Sequence, residues 1–304
     1  MRFDRATIAL VPGTTSNSID LAFMFVGRHL KPVFGLWLLL GMPTGLLIYV
    51  YGSRYGTNLL EVLVLMFFVS SILGRMLIDG AAPSAFGEAF RLRHIVRKAL
   101  TSSVVSQLKG IWRRCLCGIG LFLMLPLSLG WSMLGTLLLI PGTWMILRQG
   151  FHAEQNSLAY LDGDLHDRQT NELVKENMSS LCGRGCLITM STCVLWFVLF
   201  WTVDVASRIL IAFPVFSGRA ADTLPAIDDY DLPGEYMADW FEACCLLVWD
   251  DPLVLTVIAL TGLLAYIFGR LAWFFSYVDT RVRLDLWDME LQFQQDALRL
   301  EKSA

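Results

Sequence analysis

Six long apolar segments constrain this chain more than any other feature of its sequence. A helix needs roughly 20 residues to cross a hydrocarbon core. At 55% hydrophobic and 17% charged residues, the chain also carries less charge than the about 25% usual in soluble domains. The sequence therefore predicts an all-α, polytopic transmembrane helix bundle. Its predicted spans are Val33–Tyr51, Leu59–Ile78, Cys115–Leu129, Trp131–Leu147, Leu187–Val203 and Leu253–Phe275.

The third and fourth segments adjoin each other and have to be assigned as one helix or two. A single helix of about 33 residues would be near 50 Å long, too long for a core of about 30 Å. Pro126 and Gly130 lie where the chain would have to open. We therefore predict six spans in three hairpins, with residues 1–304 forming a single integral membrane domain.

The distribution of cationic residues predicts the orientation. With six spans, 21 of the 24 Lys and Arg residues fall on one side of the membrane. The other side receives only Arg54, Arg208 and Arg219. Because cytoplasmic loops are enriched in Lys and Arg, we expect a multi-pass protein of the bacterial cytoplasmic (inner) membrane with both termini in the cytoplasm. We interpret the first span as its targeting signal.

Two predicted cytoplasmic segments have amphipathic or basic character. In the N-terminal segment 1–32, the pattern from Asn17 to Leu30 predicts a helix that either lies in the membrane interface or packs on the bundle. The stretch Phe86–Arg114 carries seven Lys and Arg residues. Such residues are attracted to anionic lipid head groups by about 1 kcal/mol each. We expect this attraction mainly to set the topology, with a specific lipid or protein ligand as the less favoured alternative. The near-neutral net charge of −3 argues against nucleic acid as a partner.

The C-terminal segment 277–304 has apolar residues on two faces of a predicted cytoplasmic helix. Val278, Val282 and Leu286 begin the first stripe, whereas Leu284, Trp287 and Leu291 belong to a second, nearly opposite one. Two apolar faces need two surfaces to cover them. We therefore expect this helix to pack between segments of its own chain or, as the less favoured alternative, across a homodimer or against a protein partner.

The predicted external loop 214–252 is acidic and has its own helical pattern. Nine Asp and Glu residues oppose Arg219 alone in it. Apolar residues from Tyr236 to Val248 follow helical spacing and predict an interfacial helix. Asp251-Pro252 predicts the N-cap and first position of the sixth span. The Asp228–Asp231 group offers oxygen ligands for Ca²⁺ but lacks the spacing of a known calcium loop, so we expect a solvated acidic loop.

The motifs that would indicate an enzyme do not occur. H-E-x-x-H, G-x-S-x-G and P-loop patterns are absent from the sequence, and the four histidines fall outside the predicted spans. Gly41 and Gly45 are explained by close helix packing. We predict no catalytic, cofactor-binding or metal-binding residue, although four cysteines near the cytoplasmic boundary raise the question of a zinc site: Cys115, Cys117, Cys182 and Cys186.

Three stretches together resemble a known group of proteins. They are Ser18–Phe23 leading into Arg28–Leu30, Leu173–Asn177, and Phe275–Arg283 continuing to Leu291. The last contains a Tyr-x-Asp-x-Arg-x-Arg pattern from Tyr277 to Arg283. These stretches are similar to bacterial six-span membrane proteins that include the membrane domain associated with glycerophosphodiester phosphodiesterases. The catalytic domain of that group has no counterpart here, so the resemblance implies an inner-membrane protein of unknown role, often a helper to another component.

These observations favour a non-enzymatic membrane scaffold or accessory subunit. The alternative is a transporter or lipid-handling protein with a path between hairpins. Ionisable residues, which mark such paths, are nearly absent from the interiors of the predicted spans.

The predicted topology has a direct test. Green fluorescent protein fused after Ala304 should fluoresce, and alkaline phosphatase inserted within 223–232 should be active, because fluorescence requires the cytoplasm and phosphatase activity requires the opposite side. A fusion after Ala304 that does not fluoresce, or a phosphatase insertion within 223–232 that is inactive, would contradict the predicted orientation.

Overall fold

The computed structural model describes residues 15–85, 89–101, 178–212, 215–222 and 233–284. Within these ranges the chain forms eight α-helices and no strand. The all-α prediction is therefore confirmed for the described residues. The helices are α1 Thr15–Arg28, α2 Leu30–Tyr55, α3 Leu59–Ala85, α4 Leu92–Thr101, α5 Met178–Ile211, α6 Ser217–Asp222, α7 Pro233–Asp250 and α8 Pro252–Leu284.

Four of these helices, α2, α3, α5 and α8, are long and apolar enough to cross a membrane. They indicate a membrane-embedded protein and contain the predicted first, second, fifth and sixth spans. All four extend past the predicted segments because backbone hydrogen bonds continue a helix into polar sequence. The predicted third and fourth spans, Cys115–Leu129 and Trp131–Leu147, lie outside the described residues, so six spans in three hairpins stays a prediction.

The chain divides into two compact units. The first comprises Met1–Phe34, Ser71–Met190 and Ile267–Ala304, and the second comprises Gly35–Ser70 and Ser191–Tyr266. Each of the four long helices contributes to both units.

In the second unit, a three-residue connection joins α2 to α3. Gly56 ends α2 with φ 76°, a left-handed conformation that glycine adopts without strain. Its N–H donates to the carbonyl oxygen of Gly52 at 3.0 Å. Asn58 then caps α3, because its Oδ1 accepts a hydrogen bond from the backbone N–H of Glu61 at 3.1 Å. Local sequence therefore determines both helix ends.

Helix α8 packs closely against α2 in the second unit. A Cβ atom added at Gly45 would lie 3.2 Å from a methyl group of Leu260, and one at Gly41 would lie 3.5 Å from the same methyl. The indole Nε1 of Trp37 donates to the Leu260 carbonyl oxygen at 3.1 Å. The close packing predicted from Gly41 and Gly45 is confirmed.

The helix predicted within the external loop is confirmed as α7, but its apolar residues do not share one environment. Cys244 is buried in a cluster with Phe200, Phe216 and Val254. Met237 and Phe241 are exposed, at 61% and 67%. Only part of the predicted apolar surface therefore packs within the chain.

Two carboxylates anchor the segments around α6. Asp204, which directly follows the predicted fifth span, is buried and accepts hydrogen bonds from the Phe216 backbone N–H at 2.7 Å and the Ser217 hydroxyl at 2.6 Å. Asp251 caps α8 as predicted, since its Oδ1 accepts from the backbone N–H groups of Leu253 and Val254. It also pairs with Arg219 at 2.6 Å.

In the first unit, the second half of α8 forms the centre of the core. Leu271, Phe274 and Tyr277 are fully buried. Helix α1 packs one face here, with the ring of Phe23 at 4.8 Å from that of Phe268. Met24 on α1 is exposed. The structure thus packs α1 on the bundle and leaves part of its apolar surface uncovered by the chain.

Helices α3 and α4 approach each other at Gly80. A Cβ atom added there would overlap the end of the Ile95 side chain and lie 2.7 Å from the ring of Phe90. Phe90 cannot move freely, because its ring also packs against those of Phe25 and His29. Glycine at this position permits the approach.

We predict that Gly80→Ala destabilises the protein by about 1–3 kcal/mol, because the added methyl overpacks the contact. The measurement is thermal unfolding of the purified protein in mild detergent. Gly27→Ala and Gly183→Ala are matched controls, since nothing lies within 4 Å of a Cβ at either position, and they should leave stability equal or slightly higher. Equal behaviour of all three variants would contradict the close approach.

Candidate functional site

The most distinctive polar contact of the first unit joins α5 to α8. The guanidinium of Arg184 donates to Asp279 Oδ2 at 2.6 Å and lies 3.4 Å from the Ser276 hydroxyl. Only 11% of the Arg184 side chain and 10% of the Asp279 side chain are exposed. A largely desolvated pair of this kind ties two helices together at one register.

The sequence alone does not pair these two residues. Arg184 is one of the 21 cations that predict the orientation, and Asp279 belongs to the Tyr277–Arg283 pattern. The structure places both in one ion pair. A signal was present, since opposite charges flank two predicted spans, but the sequence does not indicate which spans are neighbours.

Arg270 lies near the end of the predicted sixth span, Leu253–Phe275, where a long cationic side chain can reach the membrane surface. Arg270 instead is 7% exposed and lies in the core of the first unit. Helix α8 continues to Leu284, so Arg270 is inside the helix rather than at its end, and neighbouring segments cover its side chain.

An aromatic cluster joins α1, α8 and the segment before α4. Its members are Phe25, His29, Phe90 and Phe275. The Phe25 ring lies 5.8 Å from both Phe90 and Phe275, with edge-on geometry. The His29 ring lies 4.7 Å from Phe25 and 5.7 Å from Phe90. Such contacts stabilise by about 0.5–1.5 kcal/mol beyond area burial, so the cluster fixes α1 to its neighbours.

The environment of His29 favours its neutral form. Desolvation by burial, and then the positive charge of Arg28, lower the pKa of His29 below its ordinary value of 6.5. Both causes penalise the imidazolium. His29 therefore acts in this structure as an aromatic member of the cluster.

Helix α4 presents two different faces. Ile95 is buried, whereas Arg93 and Arg97 are exposed. Lys98 pairs with Asp79 of α3 at 2.9 Å, in a contact where half of the lysine side chain is exposed. Within the basic stretch predicted from Phe86 to Arg114, the described residues are helical from Leu92 to Thr101, and Arg91, Arg93 and Arg97 are exposed.

The described cysteines are free thiols. Cys182 and Cys186 lie one turn apart on α5, but Cys115 and Cys117 lie outside the described residues, so their convergence stays untested. On α7, burial and then the neighbouring Cys245 raise the pKa of the Cys244 thiol. A raised pKa lowers its reactivity.

Among the residues that the structure describes, no group of three or more His, Cys, Asp or Glu side chains could hold a metal ion. The Asp228–Asp231 group lies outside them.

Comparison with protein families, with curated proteins and with solved structures finds no match. The arrangement is therefore interpreted from its own geometry. Its charged and aromatic side chains connect helices to one another, which is a structural capability.

We predict that Arg184→Ala or Asp279→Ala destabilises the protein by about 3 kcal/mol, because each removes the Arg184–Asp279 ion pair from a largely desolvated site. The double variant Arg184→Met/Asp279→Leu should recover most of this loss. The exposed pair offers a matched control, since Lys98→Ala should cost at most about 1 kcal/mol. Thermal unfolding in detergent measures all four variants. Equal losses at Arg184 and Lys98 would contradict a structural role for the buried pair.

Proposed function

We propose that this protein is a non-enzymatic scaffold or accessory subunit of the bacterial inner membrane, with six spans and cytoplasmic termini. The proposal rests on one observation: polar side chains of the membrane-spanning helices bind these helices to one another. Arg184 and Asp279 join α5 to α8 in the first unit. In the second unit, the Trp196 indole donates to the Thr261 hydroxyl at 3.2 Å. Ties of this kind favour a fixed assembly over a moving transport path.

The resemblance of Tyr277–Arg283 to the six-span group supports the same proposal. Within this pattern Asp279 holds Arg184, and Tyr277 is fully buried. In our interpretation the motif keeps α8 in register, which is a requirement of architecture and not of catalysis.

Helix α5 is the surface that we assign to the partner. In its most apolar window 11% of the residues are buried, against 33% in α2 and 39% in both α3 and α8. Val194, Phe197 and Val198 are all more than half exposed. The described part of the chain thus covers less of α5 than of the other three helices, and we assign this face to an apolar membrane-spanning helix of another subunit.

The experiment uses native membranes and a single photoreactive group. In a chain whose only cysteine is Cys193, an exposed residue of α5, a benzophenone maleimide should crosslink to one discrete protein. That protein should also co-purify in fixed stoichiometry from uncrosslinked membranes. The control carries Leu46→Cys as its only cysteine, because Leu46 is 65% exposed on α2, and it should crosslink mainly to lipid.

Three results would overturn the proposal. Crosslinking of Cys193 to lipid alone would remove the partner surface. A product containing only two copies of this chain would replace the accessory role by a homodimer. Solute or lipid flux in proteoliposomes of the purified protein would favour the transporter or lipid-handling alternative.

A further inference from the structure

Two basic segments meet in the first unit, although 60 or more residues separate them in the sequence. Arg28 and Lys31 flank His29, and Arg91 follows Phe90 directly. Because the rings of His29 and Phe90 lie 5.7 Å apart, the cations next to them belong to one region. Arg93 and Arg97 extend this region along α4, one turn apart. We call these five residues the basic surface: Arg28, Lys31, Arg91, Arg93 and Arg97.

The side chains of the basic surface are exposed. The ion pairs of the described residues engage other groups: Lys98 with Asp79, Arg184 with Asp279, and Arg219 with Asp251. Asp79, an acidic residue of the same unit, is thus already engaged by Lys98. Within the described residues, the positive charge of the basic surface is therefore left available to a separate ligand.

The backbone beneath this surface is held in place before any ligand binds. The aromatic cluster fixes the Arg28–Lys31 segment to Phe90. Ile95 packs against Gly80 and holds α4 on α3. A preorganised surface loses less conformational entropy on binding than a flexible tail with the same charge.

Its position points to the head-group layer of a membrane. Helix α2, a candidate span, begins at Leu30, so Lys31 lies in the first turn of a membrane helix. Leu30 beside it, and Met24 on α1, are exposed apolar residues, at 58% and 70%. Apolar side chains next to cations match the boundary between acyl chains and charged head groups.

We propose that the basic surface is a binding site for the phosphate head groups of anionic phospholipids. Arginine side chains donate several hydrogen bonds to phosphate oxygens in a fixed geometry. In this proposal the exposed side chains of Leu30 and Met24 contact the acyl chains. This site is independent of the α5 partner surface. It differs from general attraction of a basic loop because residues of two distant segments form it together.

The test measures lipid retention by native mass spectrometry after purification with equal amounts of phosphatidylglycerol and phosphatidylcholine of identical acyl chains. The wild-type chain should retain phosphatidylglycerol preferentially. Arg93→Gln/Arg97→Gln should lower that preference about tenfold or more. The matched control Arg54→Gln/Arg208→Gln removes two exposed arginines from the second unit and should leave it unchanged.

Ionic conditions separate a lipid site from a site for free phosphate. Raising NaCl well above 0.15 M, where the Debye length is about 8 Å, should weaken the preference. Inorganic phosphate at equal ionic strength should displace no more lipid than NaCl does.

Greater displacement by phosphate, equal retention of both lipids, or an equal loss in the control variant would each overturn the proposal. Crosslinking at Cys193 should be unchanged in Arg93→Gln/Arg97→Gln, which distinguishes failure of this site from failure of the scaffold role.

Discussion

Close packing around α8 is the constraint on which the described structure depends. In a hydrocarbon environment, apolar side chains gain little by leaving lipid for protein, so helices associate through close contacts and a few hydrogen bonds. The contacts of α8 follow this rule. Gly41 and Gly45 let α2 approach Leu260, and in the first unit Asp279 holds Arg184 of α5. Within each unit, α8 supplies residues to the core.

The same rule explains how the chain uses polar groups. A buried charge is costly unless it is paired and hydrogen-bonded. Asp204 meets this requirement by accepting from Phe216 and Ser217, and Arg184 meets it through Asp279. These side chains stabilise particular helix contacts, which agrees with the proposed scaffold role. Among the described ion pairs, none engages Arg93 or Arg97 of α4, and these two exposed cations are therefore the better candidates for recognition.

Features that depend on neighbouring residues were predictable. Asp251-Pro252 was recognised as a helix start because an N-cap acts on amides two and three residues away, and the structure has those hydrogen bonds. The helix α7 was recognised from its spacing. The exposure of Met237 and Phe241 on that helix was not, because periodicity shows that a face is apolar without showing what covers it.

The sequence by itself determined the all-helical class and the four long apolar helices of the described residues, because helix length and apolar composition are local properties that the membrane thickness converts into spans. Only the tertiary structure decided which charged residues are paired and which are exposed. Arg270 is buried and Arg93 is exposed, although both are arginines near apolar segments. The physical reason is that burial and pairing depend on contacts between distant segments, such as Arg184 with Asp279, 95 residues apart.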